Sequence, residues 1–309
     1  MIKKVKLIQK FLVSSKNKFL LITNNDLHLN ESPNLNQKDI YVITGFDCSF
    51  GFLLIFTDQI IFFTDSRYTL AAAKFFPKKV KIYDIRKMSL CDYLMNLGSN
   101  FNGLVDINLI STQQFLDIKK TLSKSKIKIL PLKDVIYQKE YFPDFDRSYA
   151  FSLPKNYTPR NYEKNILWVK KRIKSEGLLI WNNSHIAYIL NIRSFELDNS
   201  TKPFAGLFIP KKNLKPIIIS NNLRLRNIIK VKNNFKLLSF ENFKLYLKKN
   251  YFKKIEFEFK YTNFQVYHSL NKFLKIDETL IHIDKFISQK TKIEQNNILI
   301  CHYEDGLTM

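Results

Sequence analysis

Phe19-Leu20-Leu21-Ile22-Thr23-Asn24-Asn25 returns 158 positions later as Gly177-Leu178-Leu179-Ile180-Trp181-Asn182-Asn183, with five of the seven residues identical. Each copy is a continuous apolar run of strand length, and each comes after a stretch with apolar residues at helical spacing. Val5, Leu7, Ile8, Phe11 and Leu12 precede the first; Ile166, Leu167, Val169 and Ile173 precede the second. The order of the elements downstream repeats as well. An irregular segment leads to paired strands, at 51–56 and 60–64 across Thr57-Asp58-Gln59 in the first copy and at 206–209 and 216–220 in the second. Strands at 80–83, 103–107 and 127–130 then alternate with helices at 90–97 and 112–122, and in the later half strands at 235–240 and 255–259 with helices at 241–249 and 263–273. Hairpins mixed with helix-linked strands predict an α/β fold, a tandem duplication of one mixed-sheet domain with helices on both faces.

The 309 residues suit two domains of about 150 residues each. Pro143, Pro154 and Pro159 punctuate 139–160, which predicts domains at 1–150 and 151–288 and leaves a short helical terminus at 289–309. An apolar fraction of 45% with 14% aromatics excludes a disordered chain. Lys and Arg outnumber Asp and Glu by 50 to 27, for a net charge of +23, but the excess is spread along the chain. Its densest clusters are Lys78-Lys79-Val80-Lys81 and Lys170-Lys171-Arg172-Ile173-Lys174. They read as solvated surface; a polyanion site is the alternative, and no recognisable nucleic-acid motif accompanies them. Cys48, Cys91 and Cys301 make neither a disulfide framework nor a metal knuckle and read as buried reduced thiols. No export signal precedes the first helix and no apolar run reaches bilayer length, so a cytoplasmic protein without a membrane partner is expected. H-E-x-x-H, G-x-S-x-G and Gly-rich phosphate loops do not occur.

The most specific stretch is Tyr41-Val-Ile-Thr-Gly45-Phe46-Asp-Cys48-Ser49-Phe-Gly51, followed by Phe63-Thr64-Asp65-Ser66-Arg67-Tyr68. Asp65 and Arg67, two apart in an extended strand, would share a face and brace the loop at 45–51. Gly45 and Gly51 fit a positive φ or a close backbone approach. His28 has no second histidine at ligand spacing and reads as a hydrogen-bonded structural group.

This stretch resembles the creatinase-type N-terminal domain of Xaa-Pro aminopeptidases, in which an L-T-G-F-x-G-S-x-G turn precedes a hairpin that ends in T-D-x-R-Y. Asp26-Leu27-His28-Leu29-Asn30-Glu31 is similar to the D-x-H-x-x-E segment of the three-domain members. Ser184-His185-Ile186-Ala187-Tyr188-Ile189-Leu190-Asn191-Ile192-Arg193-Ser194, then Glu196-Leu197-Asp198-Asn199 and Pro203, resembles the family's D-x-I-A-W-L-L-N-x-R-G and D-x-P-x-N-P segments. His185 stands where the family usually has an acidic residue; Cys48 and Ser194 replace glycines, Ser32 a tyrosine and Tyr188 a tryptophan. Lys290 to Glu294 and His302-Tyr303-Glu304-Asp305-Gly306 look like the K-x-x-x-E and H-x-x-D-G start of the pita-bread metallopeptidase domain.

The resemblance implies two tandem creatinase N-like, ribonuclease H-like domains that stop where the catalytic domain begins. Bond cleavage before proline would need two metal ions, manganese or another divalent metal, held in that further domain by two Asp, one His and two Glu. No cofactor is expected on this chain, and no catalytic residue. Asp26, His28, Asp65, Arg67, Tyr68 and Arg193 are the candidates for a substrate pocket or a subunit interface. The implied partners are a second copy or a separately encoded catalytic chain that the module would cap, with peptide substrate bound only in a complete enzyme. A basic nucleic-acid binder is a further alternative.

Overall fold

A computed structural model describes residues 2–30, 34–132, 136–137, 142, 149–154, 156–158, 161–197, 200–222, 225 and 234–308. Glu31 and Ser32 of the D-x-H-x-x-E region, Asp198, Asn199, and the linker prolines Pro143 and Pro159 lie outside the described residues. The chain divides into two compact units, Met1–Pro143 with Phe259–His268, and Asp144–Glu258 with Ser269–Met309.

Unit 1 runs α1 (Ile2–Ser14), β1 (Phe19–Thr23), α2 (Asp39–Thr44), β2 (Phe52–Phe56), β3 (Ile60–Thr64), α3 (Ser66–Phe75), β4 (Val80–Asp84), α4 (Leu90–Asn96), β5 (Asn102–Val105), α5 (Thr112–Ser123) and β6 (Lys128–Pro131). Its sheet has the order β4-β3-β2-β1-β5-β6. β1, β2 and β3 pair antiparallel as a meander, and β4, β5 and β6 add in parallel. The period-2 side-chain alternation, with both faces covered, explains why β1 is apolar from Phe19 to Ile22. Leu20 and Ile22 pack with Val5, Ile8 and Leu12 of α1, while Phe19 and Leu21 face Leu90, Leu94, Phe115 and Ile118 of α4 and α5. Short polar side chains fix where those helices start: Ser89 accepts from Asp92 N–H, and Ser111 forms a reciprocal capping box with Gln114. Phe259–His268 also packs in this unit, where Phe264 stacks on Phe115 at 3.8 Å.

Unit 2 runs β7 (Ala150–Ser152), α6 (Tyr162–Lys170), β8 (Gly177–Ile180), α7 (Asn183–Leu190), β9 (Ile192–Ser194), β10 (Gly206–Pro210), β11 (Ile217–Ile219), β12 (Lys236–Leu238), α8 (Phe240–Lys249) and β13 (Lys254–Phe257). α9 (Phe264–Leu270), β14 (Lys275–Glu278), α10 (Ile283–Ser288) and α11 (Lys292–Thr308) complete the chain. The sheet order β12-β11-β10-β8-β13-β14 reproduces that of unit 1 strand for strand, with the same parallel and antiparallel pairings. Its core sets Leu178, Ile180, Leu207 and Ile209 against α6 and α7. On the other face Phe208 meets Phe243 of α8 at 5.2 Å.

The duplicated mixed α/β sheet is therefore as expected. Four of the elements not foreseen bear on the candidate residues or complete the sheet. The segments after each Asn-Asn pair are not irregular throughout: they hold α2 in unit 1 and α7 in unit 2. The strand β14 pairs in parallel with β13, although its Lys-Ile-Asp-Glu sequence has one apolar residue and none of the usual strand signature. Helix α3 begins directly at the end of β3.

Candidate functional site

The β3–α3 corner carries three of the candidate residues. The strand stops at Thr64, and Asp65 is the N-cap of α3, accepting from Arg67 N–H at 3.0 Å. Arg67 Nη2 returns to Asp65 Oδ2 at 2.6 Å. The two residues thus pair, but not across one face of an extended strand as side-chain alternation predicts. The carboxylate satisfies a helix N–H that would otherwise lack a partner, and Ser66 to Ala73 continue as helix. The loop at 45–51 is held instead by their neighbours: Thr64 Oγ1 donates to Phe50 O at 2.9 Å, and Tyr68 OH to Ser49 Oγ at 3.0 Å. Gly45 closes α2 at φ 81°, and a Cβ on Gly51 would sit 2.7 Å from the Phe62 ring. One strand over, Asp84 and Arg86 repeat the arrangement at 2.7 Å, with Thr64 opposite Asp84 in the β3–β4 register. The repeated Asp-x-Arg spacing was the overlooked sequence signal. Hydrogen bonding from Arg67 holds the Asp65 carboxyl below its ordinary value, and Arg86 draws Asp84 down to about 2.

Asp26 and His28 form a buried turn just after β1. Asp26 accepts from His28 N–H at 2.8 Å, from Asn30 N–H at 3.1 Å and from Asn30 Nδ2 at 2.7 Å. Burial nevertheless pushes its carboxyl above the ordinary value. His28 is 6% exposed. Nearby, Asn24 Nδ2 donates to Cys48 O, and burial pushes the Cys48 thiol up to about 12, leaving it protonated and unreactive. The reading of all three cysteines as buried fails at Cys301, which is exposed on α11; Cys91 is partly buried. None of the three is in a disulfide.

In unit 2, Arg193 lies on β9, half-buried, and donates from Nη1 to Ala187 O at 2.9 Å and Ile192 O at 3.0 Å. The more unusual group is His185 on α7, 1% exposed. Its Nδ1 sits 2.9 Å from Glu258 Oε2 and its Nε2 2.8 Å from Asp284 Oδ1. Burial opposes the charged imidazole, but the hydrogen bonds and charges of Glu258 and Asp284 prevail and raise its pKa. Each ring nitrogen thus lies within hydrogen-bond distance of a carboxylate oxygen. The alternation Ile255-Glu256-Phe257-Glu258, two carboxylates inside an apolar strand, was the available clue that unit 2 buries acids in need of partners.

α11 starts with a second reciprocal cap: Thr291 N–H donates to Glu294 Oε2 at 2.7 Å, and Glu294 N–H to Thr291 Oγ1 at 3.3 Å. Tyr188 OH donates to Glu294 Oε1 at 3.1 Å. Beyond that tether the helix buries no residue, and Leu299, Tyr303 and Leu307 are 67%, 70% and 70% exposed. Among the described residues, no group of three or more His, Cys, Asp or Glu is placed to hold a metal ion. Among the same residues no helix is long and apolar enough to cross a membrane.

Residues 4–138 match the family model of the creatinase/prolidase N-terminal domain. A probable Xaa-Pro aminopeptidase P of Laccaria bicolor is 26% identical over 199 residues, covering 60% of this chain and 30% of the relative. Xaa-Pro aminopeptidase 1 of Dictyostelium discoideum is 23% identical over 212 residues, covering 63% and 34%. The chain thus spans about a third of the length of these curated relatives. The crystal structure of an X-prolyl aminopeptidase from Caenorhabditis elegans, a cytosolic enzyme with a di-nuclear active site, superposes with a TM-score of 0.82 at 13% identity. That match covers 96% of this chain and 52% of the nematode enzyme, and it extends the common fold through both units.

Proposed function

We propose that this chain, whose residues 4–138 form a creatinase/prolidase N-terminal domain, is the non-catalytic scaffold of an Xaa-Pro aminopeptidase, built to shape the substrate entrance and subunit contacts rather than to cleave peptides. The observation that carries it is the fold match across 96% of the chain to 52% of an X-prolyl aminopeptidase. A metal-activated water would come from a domain outside these residues, with manganese or a similar divalent ion held there. In that assembly α11, a mixed helix that buries no residue, would pack against the catalytic domain, and its exposed Leu299 and Leu307 favour docking on a further polypeptide. Arg67, its side chain 65% exposed beside Asp65, is the candidate best suited to reach a partner subunit. A cytosolic setting agrees with the three free cysteines.

The test is release of the first residue from an Xaa-Pro peptide by the purified chain in manganese. No release is expected from the chain alone, and release once a metal-loaded catalytic domain of an Xaa-Pro aminopeptidase is added. Manganese-dependent turnover by the chain alone, abolished by a chelator, would overturn the proposal.

A further inference from the structure

The Lys170-Lys171-Arg172-Ile173-Lys174 cluster is not merely a solvated run. It comes at the end of α6 and forms one wall of a cleft of about 820 Å³ within unit 2. Lys171, Arg172 and Lys174 line it together with Lys211 and with Lys285 of α10. Among the described residues none of these five cations pairs with a carboxylate. Glu256 is the one acid in the lining, buried, with both carboxylate oxygens already accepting hydrogen bonds from the protein. Its Oε1 accepts from Lys174 N–H at 2.8 Å, Ser175 N–H at 3.0 Å and Ser175 Oγ at 3.2 Å, and its Oε2 from Thr279 Oγ1 at 2.7 Å. Those bonds fix the Lys174–Ser175 turn at the cleft, and buried Ile173 anchors it in the core. Arg172 is also held in place, its guanidinium 3.9 Å from the Trp168 ring centre and Nη1 donating to Trp168 O at 3.0 Å. One of its five N–H donors is used there; the others remain for a ligand.

Five cations against a single buried carboxylate around one concavity focus a positive field that a single exposed lysine would not produce. From this we infer that the cleft binds a compact, multiply charged anion of the polyphosphate class. Nucleic acid fits less well. Trp168 has Phe286 stacked at 4.0 Å with an interplanar angle of 19° and Arg172 at 3.9 Å, so it offers no free face for a base. The volume is that of a small-ligand site.

Calorimetric titration of the full chain with inorganic tripolyphosphate at low salt tests this. One saturable site is expected, weakened at least about tenfold by K171E/K174E/K285E, while K78E/K79E/K81E in unit 1, with the same change in net charge, stays within about twofold. K211Q, a milder change at an exposed side chain, should weaken binding about threefold and guards against misfolding of the triple variant. Equal losses in the two triple variants would mean diffuse attraction to a chain of charge +23 and would end the proposal. So would orthophosphate binding as tightly as tripolyphosphate, or an oligothymidylate outcompeting it.

Discussion

The two sheets share one strand order and one set of pairings, yet the segments behind their first strands solve different problems with the same Asn-Asn pair. In unit 1, Asn24 and Asn25 donate to Cys48 O and Leu109 O, and the chain turns around a buried carboxyl at Asp26. In unit 2, Asn182 caps α7 through Ser184 N–H and His185 N–H, Asn183 donates to Ala205 O, and the helix delivers a buried imidazole between two carboxylates. Architecture is carried by apolar strands that many sequences satisfy. A buried polar group must find a specific partner, so it is here that the two copies have parted.

The difference breaks most sharply at His185. H185L leaves Glu258, with its side chain 14% exposed, unpaired, whereas Asp284 at 66% can return to water. A loss of about 3–5 kcal/mol is expected, as for breaking a buried ion pair. Both tryptophans, Trp168 and Trp181, lie in unit 2, so the fluorescence midpoint in urea reports it directly. The pH dependence comes from linkage. The pKa of His185 is raised in the folded state, so its contribution is complete below the ordinary value of 6.5 and fades as pH rises through the folded value. Wild type should lose stability across that window and H185L should not; parallel curves would show that the imidazole is not held as the cation.

The likeness of the sheets can be tested by the same lesion in each. A Cβ on Gly103 of β5 would lie 2.1 Å from the Phe19 ring, and one on Gly177 of β8 would lie 2.4 Å from the Phe208 ring. G103A and G177A should each cost about 1–3 kcal/mol, as overpacked cores do. Only G177A should move the tryptophan transition in proportion, while far-UV circular dichroism registers G103A. A cost at one glycine alone would mean that the two sheets are not packed to equal tightness.

Asp26 offers a smaller contrast. D26A strands three donors and should cost about 1–3 kcal/mol, whereas D26N keeps the Oδ1 acceptor for His28 and Asn30 and should cost less than half as much. Because burial raises the folded pKa of Asp26, its contribution erodes as pH climbs from the ordinary 3.8 through the raised value. D26N should remove that slope from an acid-range urea series.

The duplication was legible because β1 and β8 are buried on both faces and so are written as unbroken apolar runs with near-identical sequence. β14 was not, because one face of its single buried residue, Ile276, is all the core asks of an edge strand. Asp26, His28, Asp65, Arg67, Tyr68 and Arg193 could be picked out by resemblance to a family, and spacing paired Asp65 with Arg67, though on an extended strand and not at the helix start where they lie. What those side chains touch depends on residues far away in sequence. His185 meets Glu258 and Asp284 from 73 and 99 positions off, and no local pattern announces such a meeting.

The smallest effect separates a cap from an ion pair. Asp65 does both jobs, and strand alternation anticipates the pairing with Arg67 but neither the cap nor the helix that sets its geometry. D65A should destabilise by about 1 kcal/mol, the usual worth of an N-cap. D65N loses the charge attraction to Arg67 but keeps an oxygen for the Arg67 N–H, so it should stay within a few tenths of wild type. R67A removes an exposed partner and should change stability by less than about 0.5 kcal/mol. Arg67 hydrogen bonding depresses the Asp65 pKa, so whatever the pair contributes is present above about 3.8 and fades as pH falls through the lowered value; R67A should flatten that acid limb. If D65N cost as much as D65A, the corner would depend on the ion pair and not on the helix it starts. The Asp-x-Arg motif would then be an electrostatic brace in unit 1, answering the His185 brace in unit 2.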